Sequence, residues 1–263
     1  MRIFLATCGS RGDVQPMFAL CLALQSSGHD VMLAGPPEKE AWAKKLGCPY
    51  IRLGKDVTAF IDNLEDAVSL KAGIQFISFV YGEIKTQFEI LPELVKNADL
   101  IIGSSLVFAL SSVAEAKSIP YRYIAFTPQM LPSRAHPFPG VQFQRLPRWC
   151  NKLSWDLAKT GDKFCLTMIV NKGRKKLGLN SIKNAWEHIL GENTIIAADR
   201  QIAKVPFDYK INNTQTGYMH LELPKKNLPE LDNFINAGSA PVFAGFGSMP
   251  KTDQARNIPL LVE

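Results

Sequence analysis

Short apolar runs alternate with helical patterns along the first half of the chain, and this alternation restricts the fold more than any other feature. Two parallel strands need a crossover between them, usually a helix, so repeated strand–helix–strand units predict a parallel sheet. The pattern therefore indicates an α/β, Rossmann-like fold, a mostly parallel sheet with helices on both faces. The predicted strands are 2–7, 30–34, 50–53, 100–103, 120–126 and 194–198, and the predicted helices are 16–27, 39–46, 106–117, 151–177 and 184–190.

A further long helix is predicted from an apolar stripe between positions 70 and 95. Its members are separated by 4, 3, 4, 3, 4, 3 and 4 residues and share one helix face: Leu70, Ile74, Ile77, Tyr81, Ile84, Phe88, Leu91 and Val95. Such a stripe usually packs on a sheet, and a dimerising coiled coil is the alternative. Gly73, Gly82 and Pro92 weaken the coiled coil, and Pro92 is expected to kink or end the helix.

The composition changes after residue 126. Residues 127–149 contain five prolines and several aromatic residues, so they predict a long loop rather than a central strand or a helix interior. Residues 224–238 are polar and predict a linker with one helical turn, and 241–246 begin a new apolar strand. We therefore predict a Rossmann-like domain over residues 1–223, a linker over 224–240 and the start of a second domain over 241–263.

The net charge argues against nucleic acid as a partner. Thirty Lys and Arg residues against 24 Asp and Glu give +6, far from the dense basic character of a dedicated nucleic-acid binder. The charge is compatible with an anionic ligand or an anionic membrane surface. In one predicted helical region, basic residues indicate a solvated face, with a peripheral membrane patch as the alternative: Lys152, Lys159, Lys163, Lys172, Arg174, Lys175 and Lys176.

The cysteines and the hydropathy pattern favour a reducing compartment. Five cysteines without regular spacing predict neither a disulfide framework nor a zinc site. The apolar run at the N-terminus is too short for a signal peptide, and no apolar run is long enough to span a membrane. A cytoplasmic location is the expectation.

The turn after the first predicted strand carries the candidate chemistry. It reads Cys8-Gly9-Ser10-Arg11-Gly12-Asp13 and lies at the carboxyl end of a strand, where open α/β sheets bind ligands. It lacks the GxGxxG and GxxxxGKS/T patterns, which disfavours a dinucleotide cofactor and a P-loop. Arg11 offers a fixed charge next to helix N–H donors. Asp13 either caps the helix or takes a proton from a substrate hydroxyl.

The segment CGSRGDVQPMFALCLALQSSGHDV resembles the opening of nucleotide-sugar glycosyltransferases of the GT-B fold, in particular the branch that acts on sterols, other lipids and antibiotic aglycones. Further segments match in order along nearly the whole chain: ADLIIGSS, AEAKSIPY, TPQMLPSRAHPFPG, NKGRKKLGL and PVFAGFGSMP. The last of these resembles the first strand of the donor-binding second domain. The resemblance implies the N-terminal, acceptor-binding half of a GT-B fold, followed by the beginning of the other half.

The resemblance also implies a reaction and a set of site residues. Asp13 corresponds to the general base that activates the acceptor hydroxyl, at a position where many relatives have histidine. The other implied residues form two groups: Ser10, Arg11, Gly12 and Ser248 on the donor-phosphate side, and His136, Phe138 and Phe143 at the acceptor mouth. The implied reaction transfers a hexose, with inversion, from a nucleotide-diphosphate sugar such as a UDP-sugar to a hydroxyl of a sterol, lipid or aglycone. The nucleotide sugar is a co-substrate, and no metal or other cofactor is expected.

The sequence departs from the family pattern on the donor side. The family's donor domain carries an HxGGxGT-type site for phosphate and sugar, and this sequence contains no HxGG. The chain alone is therefore not expected to catalyse transfer at normal rates. It would be part of a longer enzyme, or would pair with a donor-domain chain or with itself through the interdomain face. The alternative is a non-catalytic protein that uses the same fold to bind an apolar acceptor, a lipid or a partner subunit.

Overall fold

The structure is a computed structural model, and it describes residues 1–64, 70–141, 143–210, 212–223, 228–245 and 247. The strands are β1 (Arg2–Cys8), β2 (Asp30–Gly35), β3 (Tyr50–Arg52), β4 (Leu100–Ser105), β5 (Tyr121–Ala125), β6 (Asn193–Ile196) and β7 (Asn212–Gln215). They form one sheet in the order β3-β2-β1-β4-β5-β6-β7, and every neighbouring pair is parallel. This confirms the predicted α/β fold.

Helices cover both faces of the sheet, as predicted. They are α1 (Arg11–Ser26), α2 (Glu40–Leu46), α3 (Val57–Asp62), α4 (Leu70–Leu94), α5 (Leu110–Ala116), α6 (Arg148–Phe164), α7 (Leu166–Lys176), α8 (Ala185–Leu190) and α9 (Pro229–Asn236). Successive residues of β1 face opposite sides. Ile3 and Leu5 pack with residues of α1 and α2, whereas Phe4 and Ala6 lie in the cluster that contains buried residues of α4, α5, α7 and α8.

The structure also describes the state of the cysteines and the length and hydropathy of the helices. All five cysteines are free thiols in this structure. Within the described residues, no helix is both long enough and apolar enough to cross a bilayer.

α1 begins five residues earlier than the sequence predicts. Proline favours the first turn of a helix, which places the predicted start at Pro16, but the helix begins at Arg11. Ser10 is extended as the N-cap residue, and its backbone N–H donates to the carboxylate of Asp13 at 2.7 Å. This cap starts the helix early, so Arg11, Gly12 and Asp13 lie in its first turn rather than in an open loop.

The apolar stripe of α4 is divided between the core and the surface. Its second half and the residue just after the helix are buried: Ile84, Phe88, Leu91 and Val95. Ile74, Ile77 and Tyr81 on the same stripe are exposed, and the Leu70 side chain lies outside the described residues. The prediction of a helix packed on the sheet is therefore confirmed for the second half only. Pro92 lies in the last turn, and the helix ends at Leu94.

Three predictions for later elements need correction. The helical stretch predicted over 151–177 is two helices, α6 and α7, because the backbone turns at Cys165 (φ −111°, ψ −93°). The helix predicted from residue 106 begins at Leu110, since the preceding residues continue from β4 through a short turn. β7 is missing from the prediction because its sequence, Asn-Asn-Thr-Gln, is polar and carries no strand pattern; it forms the edge of the sheet.

The strand predicted at 241–246 is wrong for the residues that the structure describes. Residues 241–245 form no strand, and Val242 and Phe243 are 95% and 94% exposed. A strand needs a neighbour to pair with, and the described part of the chain provides none at this position. Within the predicted linker, α9 forms two turns rather than one. Phe246 and residues 248–263 lie outside the described residues, and the domain boundaries stay predictions.

A buried arginine joins three helices beside the sheet. The Arg174 side chain on α7 donates to both carboxylate oxygens of Glu115 on α5, at 2.7 and 3.0 Å. Its Nη1 also donates to Nε2 of His188 on α8 at 3.1 Å. Since arginine cannot accept a hydrogen bond, His188 must present an unprotonated Nε2 here. Burial, reinforced by the Arg174 charge, lowers the pKa of His188. Arg174 is therefore not part of the solvated basic face that the sequence predicts.

Lowering the pH should destabilise the protein through His188. The unfolded chain takes up a proton at this residue near its ordinary pKa of about 6.5, whereas the folded protein does so only at lower pH. Stability is therefore lost as the pH falls below roughly 6.5. His188→Gln keeps an acceptor for Arg174 without the titration. Denaturant unfolding between about pH 7.5 and pH 5 should give a smaller loss of free energy of unfolding for this variant than for the wild type. Equal losses would exclude His188 as the cause.

Candidate active site

The order of the strands reverses between β1 and β4, and the open crevice of the sheet lies there. From β1 the chain moves to β2 and β3 on one side, then returns to β4 on the other side and continues outward. Open α/β sheets bind ligands outside the carboxyl ends of the strands at such a reversal. Cys8 ends β1 and pairs with Ser105 at the end of β4. The side chains at and just after these two positions are the first candidates for a site.

Asp13 and Ser105 meet in this crevice. The hydroxyl of Ser105 donates to Oδ1 of Asp13 at 2.7 Å. The other oxygen, Oδ2, accepts from the backbone N–H of Ser10 at 2.7 Å and from the Ser10 hydroxyl at 3.2 Å. The two interpretations of Asp13 are therefore compatible, because Oδ2 caps α1 while Oδ1 retains a lone pair for a further donor.

The backbone of Ser105 is held in an uncommon conformation. Its φ is +55°, in the left-handed region that residues other than Gly, Asn and Asp rarely adopt. The Tyr123 hydroxyl on β5 donates to the Ser105 carbonyl at 3.0 Å. Burial raises the pKa of Tyr123, and the nearby Asp13 charge raises it further, so the phenol keeps its proton and continues to donate. The Ser105 hydroxyl is thereby fixed toward Asp13.

Gly9 makes room for the Asp13 carboxylate. A Cβ on Gly9 would overlap the carboxyl group of Asp13. Any larger residue at position 9 would move the carboxylate away from Ser10 or Ser105. The close approach of Asp13, rather than a special backbone angle, explains why a glycine stands here.

A cavity of about 560 Å³ opens against Asp13 and Ser105. Phe76, Ile77 and Val80 of α4 form part of its wall, and the end of β5, the proline-rich loop and the start of α7 form most of the rest. The wall is almost wholly apolar, with the Asp13 carboxylate among its few polar groups. This volume falls in the range of sites for drug-sized ligands, about 300–1,000 Å³. The arrangement can hold an apolar molecule with one hydroxyl presented to a carboxylate.

A buried acid, Glu83, lies near the crevice but is not part of the described cavity lining. Oε2 of Glu83 accepts from the thiol of Cys8 at 3.6 Å, and Oε1 accepts from the Lys55 N–H at 2.9 Å. Burial raises the pKa of Glu83, and burial together with the Glu83 charge raises that of Cys8. Cys8 is thus a protonated thiol and a poor nucleophile. Across the part of the chain that the structure describes, no group of three or more His, Cys, Asp or Glu side chains could hold a metal ion.

The residues predicted for the donor side lie at the start of α1. Arg11 is exposed, and its Nε donates to Oε1 of Gln15 at 3.0 Å. Its guanidinium also lies over the Trp42 ring, 5.2 Å from the ring centre. Gly12 is exposed and Ser10 half-buried beside it. Their contact with donor phosphates stays a prediction, and Ser248 lies outside the described residues.

Of the three residues predicted for the acceptor mouth, the structure brings Phe138 to the cavity. His136 is not part of the described lining; it packs edge-on against Trp155, with ring centres 5.9 Å apart. The indole N–H of Trp155 donates to the His136 carbonyl at 3.1 Å, which holds this part of the loop against α6. Phe143 is exposed and also lies outside the described lining.

Sequence reasoning missed Ser105 and the apolar wall from α4. The only sequence signal for Ser105 is its place at the end of a strand, in ADLIIGSS, because its contact with Asp13 depends on the pairing of β1 with β4. Ile77 belongs to the predicted stripe, but its neighbours Phe76 and Val80 do not. Trp186 on α8 also lines the cavity, and nothing in its sequence context distinguishes it from a core residue.

Comparison with known families and curated proteins gives consistent matches. The model "Glycosyltransferase family 28 N-terminal domain" matches residues 3–135, about half of the chain. The chain is 28% identical over 254 residues to the vancomycin aglycone glucosyltransferase of Amycolatopsis orientalis, covering 95% of this chain and 61% of that protein. It is 37% identical over 143 residues to a sterol 3-beta-glucosyltransferase of Cryptococcus neoformans, covering 52% of this chain and 9% of that protein. The chain spans less than two thirds of the length of the Amycolatopsis relatives.

Solved structures share the fold. The glycosyltransferase VinC, crystallised in complex with dTDP, matches with a TM-score of 0.53 at 16% identity, over 81% of this chain and 52% of VinC. The parallel sheet described above is thus the Rossmann-like unit found in GT-B glycosyltransferases.

A charge at the cavity wall should weaken the binding of an apolar alcohol. Ile77→Asp places a carboxylate in the lining, and we expect affinity for a fused-ring alcohol such as 2-naphthol to fall at least about tenfold. Ile90→Asp is the matched control, because Ile90 is an exposed isoleucine of the same helix outside the described lining. Equilibrium dialysis measures both affinities. Equal affinities for the two variants would contradict the assignment of this cavity as the binding site.

Proposed function

The chain belongs to the family of glycosyltransferase family 28 N-terminal domains, and we propose that it supplies the acceptor site and the general base for sugar transfer to a hydroxyl of an apolar molecule. The observation that carries this proposal is the position of Asp13, whose carboxylate stands in the wall of an apolar cavity at the strand-order reversal of the sheet. A carboxylate that only capped a helix would not need to face such a cavity.

The proposed reaction is a single displacement. The acceptor hydroxyl donates a hydrogen bond to Oδ1 of Asp13, and its oxygen attacks the anomeric carbon of the donor sugar. As the new carbon–oxygen bond forms, the hydroxyl proton passes to Asp13. The bond to the nucleoside diphosphate breaks, and its electron pair leaves with the phosphate oxygen. Because attack and departure occur on opposite sides of the anomeric carbon, its configuration inverts.

The residues around Asp13 position the base for this step. Ser10 and Ser105 fix the two carboxylate oxygens from opposite sides, so the base is oriented before the acceptor arrives. The apolar wall offers water few hydrogen-bond partners, and a bound acceptor would displace the water that could compete with it as the nucleophile.

The acceptor we propose is an apolar alcohol such as a sterol, another lipid or an aglycone. The apolar lining supports this choice, since a polar acceptor would leave its hydrogen-bonding groups without partners there. The names of two relatives, a sterol glucosyltransferase and a vancomycin aglycone glucosyltransferase, are in agreement.

The donor we propose is a nucleotide-diphosphate sugar, with its phosphates near the start of α1. The helix has sixteen residues, and its N-terminal N–H groups and Arg11 favour an anion. Arg11 would leave Gln15 and Trp42 to reach a phosphate. The sugar and most of the nucleotide would be held by a donor-binding domain, to which Ser248 would contribute.

Asp13→Asn should lower the rate of transfer sharply. Asparagine keeps the shape of the side chain but cannot take the proton, so we expect kcat to fall roughly 10²- to 10⁴-fold while donor affinity changes little. The full product of the gene is expressed, and the rate of sugar transfer from nucleotide sugars to a sterol and to a polycyclic aglycone is measured. Undiminished turnover would refute Asp13 as the base. Acceptor binding without transfer from any nucleotide sugar would favour the non-catalytic alternative.

Ser105 should act as a positioning residue. Hydrogen bonds to charged groups contribute about 1.5–3 kcal/mol, so Ser105→Ala is expected to lower kcat by roughly ten- to a hundredfold with little change in acceptor KM. Ser105→Gly also removes the hydroxyl but relieves the positive φ, so an equal loss in the two variants assigns the effect to the hydroxyl. Ser104→Ala is the control, because its hydroxyl is buried without a partner in the described structure. A normal kcat in Ser105→Gly would exclude the positioning role.

A further inference from the structure

α6 carries apolar side chains on two opposite faces. Asn151 and Trp155 face inward and are buried. On the outer side lie four large apolar residues, Trp149, Leu153, Leu157 and Phe164, which are 69%, 47%, 63% and 73% exposed. Their spacing of 4, 4 and 7 residues places them along one side of the helix. A surface helix normally has a polar outer face, so this stripe has no explanation in the packing of the domain.

α7 adds positive charge beside this stripe, since Lys163 at the end of α6 lines one surface depression together with Met168, Lys172 and Lys175 of α7. Val170 and Gly173 face inward, whereas Met168 and the lysines at 172, 175 and 176 are exposed. Lys163 at the end of α6 is exposed as well. The two helices together therefore present large apolar side chains next to several ammonium groups.

The net positive charge of the chain comes from this region. Residues 145–176 contain nine Lys and Arg and two Asp, a net charge of +7. The remaining 231 residues contain 21 Lys and Arg and 22 Asp and Glu, a net charge of −1. Some of the nine are paired: the buried Arg174 contacts Glu115, Lys152 contacts Asp156 and Lys159 contacts Glu187. The exposed lysines of α7 are in none of the ion pairs described for this structure.

We propose that these outer faces dock onto an anionic lipid bilayer. The α6–α7 surface comprises Trp149, Leu153, Leu157, Phe164 and Met168 with the lysines at 163, 172, 175 and 176. Apolar side chains of this kind enter the boundary between headgroups and acyl chains, and the lysines contact anionic headgroups. A protein partner fits less well, because the cores of protein interfaces are depleted in lysine.

The position of this surface connects it to the cavity. Cys165, Leu166 and Ile169, at the junction of the two helices, line the cavity from inside. A docked α6–α7 surface would therefore hold the acceptor site close to the membrane, where an apolar alcohol resides. Only this delivery of the acceptor rests on the proposed function, since docking needs neither a donor nor Asp13.

Vesicle binding of the full chain tests the proposal. Vesicles of phosphatidylcholine with phosphatidylglycerol should bind the protein more strongly than vesicles of phosphatidylcholine alone, and added salt should weaken the binding. Leu157→Ser with Phe164→Ser should lower the partition coefficient at least about tenfold, because two large apolar side chains no longer enter the bilayer. Lys172→Glu with Lys175→Glu should remove the preference for anionic vesicles.

Matched controls keep the test specific. Ile202→Ser removes an isoleucine that is 86% exposed elsewhere on the chain, and Lys45→Glu reverses an exposed charge on α2, so neither should change binding. Circular dichroism and melting temperature verify that each variant is folded. Absence of a preference for anionic vesicles, or unchanged binding by the α6–α7 variants, would overturn the proposal. A third outcome would also overturn it: the wild type does not bind vesicles but self-associates, and the same substitutions abolish that self-association. The surface would then be an interface between copies of the chain.

Failure of this proposal can be distinguished from failure of the proposed function. Asp13→Asn should bind vesicles like the wild type, because its side chain lies in the cavity and not on the α6–α7 surface. If this variant loses transfer but binds vesicles normally, the result supports the assignment of Asp13 as the base and does not bear on membrane docking.

Discussion

β1 is hydrogen bonded to a parallel strand on each side, and the chain leaves it toward one edge of the sheet before returning to the other. Parallel pairing places the carboxyl ends of β1 and β4 together, although Asp13 and Ser105 are 92 residues apart in the sequence. The crossovers on either side diverge at this point and leave a crevice between them. The cavity, the carboxylate and the hydroxyl that orients it are all consequences of this one arrangement of strands.

The features that the sequence predicts well are those that depend on local pattern. The apolar runs locate β1 to β6, and the glycine-containing turn after β1 contains Asp13, which lies at the cavity while its catalytic role stays a prediction. The start of α1 is misplaced because a proline suggests one start, whereas the contact between Asp13 and the Ser10 N–H produces another. Ser105 could not be predicted from local sequence, because its contact with Asp13 forms only when β1 and β4 pair. β7 is missed because a polar edge strand is defined by its neighbour and not by its own residues.

α4 and α6 show that an apolar stripe does not by itself identify the core. Both helices have apolar side chains at helical spacing, and both bury only part of them. On α4, Ile77 of the exposed half lines the cavity beside Asp13, and on α6 the outer stripe lies next to a concentration of lysines. Apolar side chains left outside the core form cavity walls and exposed patches, which are the surfaces that bind ligands and partners.

The proposed double use of Asp13, as a helix cap and as the base, has an evolutionary consequence. Oδ2 accepts the N-cap N–H, whereas Oδ1 accepts from Ser105 and is the oxygen that we propose receives the acceptor proton. A neutral imidazole has a single acceptor nitrogen, so a histidine at this position could not both cap the helix and receive the acceptor proton. A lineage that replaced aspartate by histidine at position 13 would pass through an intermediate that either lacks the cap of α1 or holds the base in the wrong orientation. Relatives with aspartate at position 13 and relatives with histidine there should therefore also differ at positions 9, 10 and 105, because these four residues act as a set.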